Sequence, residues 1–296
     1  SDLYKFGFYI KKYPRIKIVE YFNNKIITNK SKKNKSSIIH DGYFSSSTLE
    51  LKNKIKILTI HDLIHEKLPH LYGENRIEIR RKIIANTDYF ICVSEKTKED
   101  FMDFYKIPEN KIKVIHHGAD HLPYYENNKD QENLQLDKPF ILFVGTRAKY
   151  KNFDLLLKSY FNSNKIKKDF DLICFGGGNF TSKEIDLFKK LKLIDKIKLV
   201  SGDDHVLKKL YQNAFIFVFP SYYEGFGLPL LEAMQMGCPI LASDISVFKE
   251  ICGNSIKYFK SEDFEHLTYN LEELLYSSSQ TKYLIKKGYE HVKKYT

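Results

Sequence analysis

Along the second half of the chain, short apolar runs rich in β-branched and aromatic residues alternate with stretches in which apolar residues recur every three or four positions. The short runs fall at 140–146, 170–176, 196–201, 214–221, 239–243 and 256–259. Runs of this length and composition predict buried strands. The stretches 152–162, 183–193, 204–213, 229–236 and 245–251 have helical spacing, so they predict helices between the strands. Such alternation builds a parallel sheet with helices on both faces. Ligands of these sheets lie beyond the carboxyl ends of the strands. The loops after Val144, Cys174 and Pro220 are therefore where chemistry is expected.

The first half alternates less regularly. Strands are predicted at 37–40, 55–61, 88–94 and 112–117, with helices at 74–85 and 95–105. Residues 124–137 (YYENNKDQENLQLD) have almost no apolar periodicity and read as a linker. The pattern thus predicts an α/β chain of two Rossmann-like doubly wound domains facing a cleft. Residues 1–123 form the first domain, 124–137 the linker and 138–296 the second. A cleft between two such domains is the default binding site. The first domain is short. Gly7 stands alone among the first 41 residues, where a doubly wound domain opens with a strand and a Gly-rich turn. The expectation is that N-terminal or internal residues are missing.

Composition narrows the class. The 296 residues are 43% hydrophobic and 15% aromatic, enough for a sizeable core and too much for a disordered chain. No apolar run reaches the roughly 18 residues of a membrane-spanning helix, and no charged-then-apolar leader opens the chain. A soluble, cytoplasmic protein is expected. Cys92, Cys174, Cys238 and Cys252 lack CxxC spacing; three of them follow apolar or small neighbours and read as buried residues, and neither a disulfide scaffold nor a zinc site is expected. The ten histidines include the pair His116 and His117 but no HExxH, so no metal cage is expected.

Charge is uneven. Residues 1–60 carry about +9, residues 61–140 about −3 and residues 141–296 about +5, within a net charge of +11. The densest run is at 30–35 (KSKKNK). A solvated loop is the plainer reading of that run. The functional reading is attraction to an anionic membrane surface or a lipid diphosphate. Nucleic acid is disfavoured, since no RNA-recognition, zinc-finger or helix-turn-helix pattern is present.

The segment 219–234 (FPSYYEGFGLPLLEAM) carries the strongest chemistry. A buried strand ends near Ser221, and a turn with Gly225 and Gly227 follows. Pro229 then suits the first turn of a helix, where its missing N–H costs nothing, and Gly237 can end that helix. Glycines admit close backbone approach by a ligand. The helix start offers unpaired N–H groups and a positive dipole end, which suits a diphosphate. Glu224 and Glu232 stand eight residues apart, one in the turn and one on the helix. Carboxylates accept from hydroxyl pairs, so ribose and hexose are natural partners. Taken singly, Glu224 reads equally well as an exposed turn residue and Glu232 as a dipole-stabilising charge. A second segment, 143–153 (FVGTRAKYKNF), turns at Gly145 and projects Arg147 and Lys151. These cations suit phosphate, though basic loops are common. Asp169-Phe170-Asp171 reads as D-x-D but lies before a buried run, at the amino edge of the sheet, as a solvated strand start. Gly176-Gly177-Gly178 is not G-x-G-x-x-G, which disfavours a dinucleotide oxidoreductase.

On these residues the second half resembles the donor domain of family 4 retaining glycosyltransferases of the GT-B fold. The E-x7-E pattern matches Glu224 to Glu232, the glycine–basic–lysine loop matches Gly145, Arg147 and Lys151, and GCPILAS at 237–243 matches the helix end and strand that follow. The first half is similar at IHDL (60–63), CVS (92–94) and KVIHHGAD (113–120). The resemblance covers roughly residues 36–293.

It implies the following roles. Arg147 and Lys151 neutralise the donor diphosphate, Glu232 holds the ribose hydroxyls, and Glu224 holds the hexose hydroxyls. The backbone of Phe226, Gly227 and Leu228 contacts sugar or phosphate. His61 reaches the transferred sugar from the first domain, although a histidine at a strand end is more often merely structural. His40 is a weaker candidate for acceptor contact. The implied enzyme moves a hexose or N-acetylhexosamine from a UDP- or GDP-sugar to a lipid-linked saccharide in O-antigen or surface-polysaccharide synthesis. It works without a metal or cofactor, at the inner face of the plasma membrane, with the basic N-terminal domain against anionic lipid. Two rivals share the fold features: a sugar-nucleotide epimerase, and a non-catalytic nucleotide- or polyanion-binding protein.

Overall fold

The computed structural model describes residues 29, 37–45, 49, 51, 53–72, 75–119, 136, 138–147 and 149–295. The basic run at 30–35, residues 1–28 and the linker at 124–137, apart from residue 136, lie outside the described residues. Contacts divide the chain into two units. The first takes the described residues of Ser1–His61, His65–Cys92 and Phe101–Lys113. The second takes those of Asp62–Ile64, Val93–Asp100 and Val114–Thr296.

The first unit holds a sheet of β1 (Ile38–Asp41), β2 (Ile55–Ile60), β3 (Tyr89–Cys92) and β4 (Ile112–Val114), in that spatial order. β1, β2 and β3 pair in parallel, with Ile38 opposite Ile55 and Ile57 opposite Tyr89. The helices along this stretch of chain are α1 (Ile64–Lys67), α2 (Pro69–Tyr72), α3 (Asn75–Ala85) and α4 (Glu95–Tyr105). Leu58, Ile60, Ile83, Ile84, Phe90 and Phe101 are buried. A buried ion pair joins Arg80 to Glu66 at 2.8 Å, and the Tyr105 hydroxyl donates to the same carboxylate at 2.5 Å. The pair leaves no buried charge uncompensated.

The second unit holds β5 (Phe140–Val144), β6 (Asp171–Phe175), β7 (Ile197–Val200), β8 (Ile216–Phe219), β9 (Ile240–Ser243) and β10 (Lys257–Phe259). Between and after them run α5 (Phe153–Asn162), α6 (Asn164–Asp169), α7 (Ser182–Lys190), α8 (Asp204–Asn213), α9 (Leu228–Gln235), α10 (Ser246–Cys252), α11 (Phe264–Leu275) and α12 (Ser278–Val292). All neighbours pair in parallel in the order β10-β9-β8-β5-β6-β7. Counted within the unit, the strand order is 3-2-1-4-5-6, the doubly wound arrangement. The winding reverses between β5 and β8.

The alternation of side chains along each strand splits the core in two. Leu142, Val144, Phe217 and Phe219 pack in one cluster with Leu230, Phe248 and Ile251. Ile141, Phe143, Ile216 and Val218 pack in the other with Leu156, Tyr160 and Leu271. Every residue of β5, β8 and β9 is buried. A central parallel strand covered on both faces needs such a continuous apolar run.

The structure departs from the sequence reading mainly at the C-terminus. The predicted helices stop at residue 251, yet α11 and α12 close the unit. Leu267, Leu271, Leu274 and Leu275 are the buried stripe of α11, and Asp263 caps it by accepting from His266 N–H at 2.9 Å. α6 is likewise an element that the predicted pattern lacks. Asp171, expected at a solvated strand start, is buried: it opens a central strand opposite Phe140, and Lys198 of β7 pairs with it at 2.9 Å. Asp169 ends α6 and accepts from the Tyr276 hydroxyl at 2.7 Å.

Candidate functional site

Doubly wound sheets take ligands outside the carboxyl ends of the strands where the strand order reverses, which here is between β5 and β8. The two loops that flank it are stitched together. Gly145 follows β5 with φ +114°, and its N–H donates to Phe175 O at 2.9 Å, which ties the end of β5 to that of β6. A Cβ at Gly145 would lie 3.7 Å from Lys151 Cε, so the lysine stem runs over the bare glycine. A 3₁₀ turn spans Lys149–Lys151, and Asn152 in a left-handed conformation starts α5. Tyr222 N–H, beyond β8, donates to Tyr150 O at 2.8 Å.

This brings Lys151 and Glu224 into contact. Lys151 Nζ lies 2.6 Å from Glu224 Oε1, with side chains 13% and 10% exposed. The ammonium also sits 4.6 Å from the Phe219 ring centroid. The Lys151 head group thus lies between an aromatic face and a carboxylate, both of which attract a cation. Three residues on, Gly227 (φ +108°) caps α9, with Pro229 in its first turn. The first N–H groups of a helix have no partner within it and carry positive potential. Phe226, Gly227 and Leu228 therefore lead from the ion pair straight to a positive helix end. Phe226 is buried, with the His117 ring edge-on at 5.1 Å and the His116 ring at 5.8 Å.

Glu232 lies one turn into α9 and is buried. Its Oε2 accepts from the Tyr211 hydroxyl of α8 at 2.9 Å. Tyr211 is fully buried, and desolvation followed by the Glu232 charge pushes its phenol well above the ordinary value, so it stays a donor. Glu224 and Glu232 are thus both buried, and a lysine lies against the first and a neutral hydroxyl donor against the second.

Arg147 is committed elsewhere. Its Nε donates to Glu184 Oε1 at 2.7 Å, and Nη1 and Nη2 donate to the carbonyls of Gly176, Gly178 and Asn179 at 3.0 Å each. The guanidinium lies 4.7 Å from the Phe180 ring, and the side chain is 4% exposed. Gly176, Gly177 and Gly178 all have positive φ, and a Cβ on Gly177 would meet Gly145 O at 2.8 Å. Arg147 therefore fastens the glycine turn after β6 under the loop after β5. Four of its five N–H donors thus have partners here, one carboxylate oxygen and three carbonyls, so little of the guanidinium is left to turn toward a phosphate. Desolvation raises the Glu184 carboxyl, but the Thr181 N–H, Arg147 and the Thr181 hydroxyl outweigh it and hold the group below its ordinary value.

His61 follows β2 in the first unit, where its Nε2 lies 2.6 Å from Gly42 O and its ring 6.2 Å from that of Tyr43. His40 Nε2 lies 2.8 Å from the Thr59 hydroxyl. Among the described residues, no three of His, Cys, Asp and Glu converge as metal ligands.

Sequence reasoning missed four side chains around this site. The Ser94 and Thr97 hydroxyls donate to Gly225 O at 2.7 and 2.9 Å. Tyr223 donates to Asp100 Oδ2 at 2.9 Å. Tyr211 is the fourth. Ser94-x-x-Thr97 carries a readable helix-start signal, but a contact 131 residues away leaves no local trace.

The chain matches the family of glycosyl transferases group 1 over residues 125–291 and glycosyltransferase family 4 over residues 8–121. It is 27% identical over 229 residues to the O-antigen chain mannosyltransferase RfbU of Salmonella typhimurium, covering 73% of this chain and 61% of that protein. It is 29% identical over 164 residues to the N-acetylgalactosamine-N,N'-diacetylbacillosaminyl-diphospho-undecaprenol 4-alpha-N-acetylgalactosaminyltransferase of Campylobacter jejuni, covering 55% and 43%. The chain thus spans less than two thirds of the length of these relatives. Sucrose-phosphate synthase from Thermosynechococcus elongatus has the same fold, with a TM-score of 0.77 at 22% identity over 97% of this chain and 76% of that one. The two-domain α/β architecture with parallel sheets is the GT-B fold.

Proposed function

The chain belongs to the group 1 glycosyl transferases, and we propose that it is a retaining, metal-independent hexosyltransferase. It moves a hexose or N-acetylhexosamine from a UDP- or GDP-sugar to a lipid-linked saccharide in O-antigen or surface-polysaccharide synthesis. The observation that carries the reading is the part-buried Lys151–Glu224 pair at the reversal of the sheet, beside the N-terminus of α9. The names of the mannosyltransferase and of the diphospho-undecaprenol transferase support the class of acceptor.

The donor diphosphate lies along the start of α9, against the N–H groups of Phe226, Gly227 and Leu228. Lys151 supplies the point charge that the loop was expected to share with Arg147. When the donor enters, phosphate oxygens take the place of Glu224 as partners of the ammonium. Glu224 is then released to accept from the hexose hydroxyls. Glu232 accepts from the ribose hydroxyls.

The bond from the anomeric carbon to the phosphate oxygen breaks, and the bond to the acceptor oxygen forms on the same face. The departing phosphate oxygen takes the acceptor's proton. No protein nucleophile is needed, and Glu224 acts by position and charge. Stabilising the charge on the leaving phosphate is the largest contribution, and Lys151 with the helix end provides it. The basic charge of residues 1–60 supports attraction to an anionic inner leaflet. No helix among the described residues is long and apolar enough to cross a membrane.

The test is transfer from a panel of UDP- and GDP-sugars to undecaprenyl-diphosphate saccharides, with and without EDTA, and with the product's anomeric configuration read by NMR. The expected result is an α-linked product from an α-linked donor, unchanged by EDTA. An inverted product, an EDTA-abolished reaction or isomerised donor without transfer would overturn the reading.

A further inference from the structure

We propose that Ser94 and Thr97, at the first turn of α4, are positioning residues that aim the Phe226 N–H at the donor. This rests on the donor reading of the α9 N-terminus given above. Both residues belong to the second unit, and both side chains are buried, at 0% and 1% exposure. Ser94 already serves its own helix, since its hydroxyl accepts from Thr97 N–H at 2.9 Å and caps α4. Capping needs no partner beyond the helix. Yet the Ser94 and Thr97 hydroxyls both reach one carbonyl, that of Gly225, and so fill both of its lone-pair directions.

The consequence follows from the peptide bond. The Gly225–Phe226 unit is planar and trans, so its C=O and N–H point to opposite sides. Fixing Gly225 O against α4 fixes the Phe226 N–H pointing away from α4. Glycine at 225 would otherwise let that peptide rotate freely. Neighbouring anchors hold the same stretch. Tyr223 is tied to Asp100, and Glu250 of α10 accepts from the Glu95 and Lys96 N–H groups at 2.7 and 3.0 Å. Glu224 thus sits between two residues that are each fastened to the first turns of α4, and its own side chain goes to Lys151. Freezing these peptides before the donor arrives removes an entropic cost of binding.

The experiment compares wild type with Thr97→Val, Thr97→Ser, Ser94→Ala and the Ser94→Ala/Thr97→Val double variant. UDP and GDP are titrated calorimetrically, steady-state transfer is measured with UDP-glucose and GDP-mannose, and amide exchange is followed over residues 222–228. Each net hydrogen bond is worth about 1 kcal/mol, so each single loss should weaken nucleotide binding about fivefold and the double loss about twenty-fold or more. KM for the donor should rise more than kcat falls, exchange over 222–228 should speed up, and Thr97→Ser should stay near wild type. A folded double variant with unchanged affinity and exchange overturns the proposal, as does a Thr97→Ser loss equal to that of Thr97→Val. If the double variant does not fold, the comparison of Thr97→Val with Thr97→Ser decides. Wild type that binds neither nucleotide overturns the donor reading itself, and the proposal with it.

Discussion

At the scale of single residues, the site turns on Lys151 and Glu224. Glu224 is buried, Lys151 is half-buried, and each is the other's partner, so removing one leaves a poorly solvated charge without compensation. Lys151→Ala should lower kcat about hundredfold, the scale of one lost transition-state donor, while Glu224→Ala should abolish turnover with the far-UV spectrum intact. Steady-state kinetics beside circular dichroism checks both.

Glu184 gives a pH prediction. Its carboxyl is held below the ordinary value, so its stabilising contribution is present above the unfolded pKa of about 4.3 and is lost as pH falls through the lower folded value. Glu184→Gln should therefore flatten the acid loss of stability below about pH 4.5, measured as melting temperature against pH.

Glu224, Glu232, Lys151 and Gly145 are legible as a pattern of residue types because their spacing along the chain is short and fixed. Arg147 is legible as a basic residue but not by its partners. Three of those are backbone carbonyls, and a carbonyl has no sequence signature.

At the scale of elements, the strands of the second unit are readable because each central one is a continuous apolar run buried on both faces. α1 and α2 have four residues each, too few for a 3.6-residue period to show. α11 does carry a readable stripe at Leu267, Leu271 and Leu274, so the sequence is not silent there even though the predicted helices stop short of it. α7 begins with a reciprocal capping box, in which Thr181 accepts from Glu184 N–H at 3.2 Å and Glu184 accepts from Thr181 N–H at 2.7 Å. Thr181→Ala should cost about 1 kcal/mol, read by urea denaturation. Gly177→Ala should cost more. Its φ is +72° and the new Cβ would meet the Gly145 carbonyl at 2.8 Å, so the substitution combines a strained backbone with a backbone clash. Its donor KM should rise as well, since the turn under the Gly145 loop must shift.

At the scale of the whole molecule, two units with parallel sheets follow from strand–helix alternation in both halves of the chain, and among the described residues the reversal of strand order lies in the second unit's sheet. The strand order itself is not readable from the sequence, because which strands become neighbours is decided by packing across the sheet. The excess positive charge in residues 1–60 predicts binding to vesicles rich in anionic lipid and release at high salt, measured by flotation.

The most direct test of a donor site at the junction of β5, β8 and α9 is calorimetric titration of UDP and GDP into wild type and Lys151→Ala, in buffer containing EDTA. One nucleotide should bind wild type, and its affinity should fall at least tenfold in Lys151→Ala, by about 1.4 kcal/mol or more. Binding of neither nucleotide, or equal binding to both proteins, would contradict a donor site there.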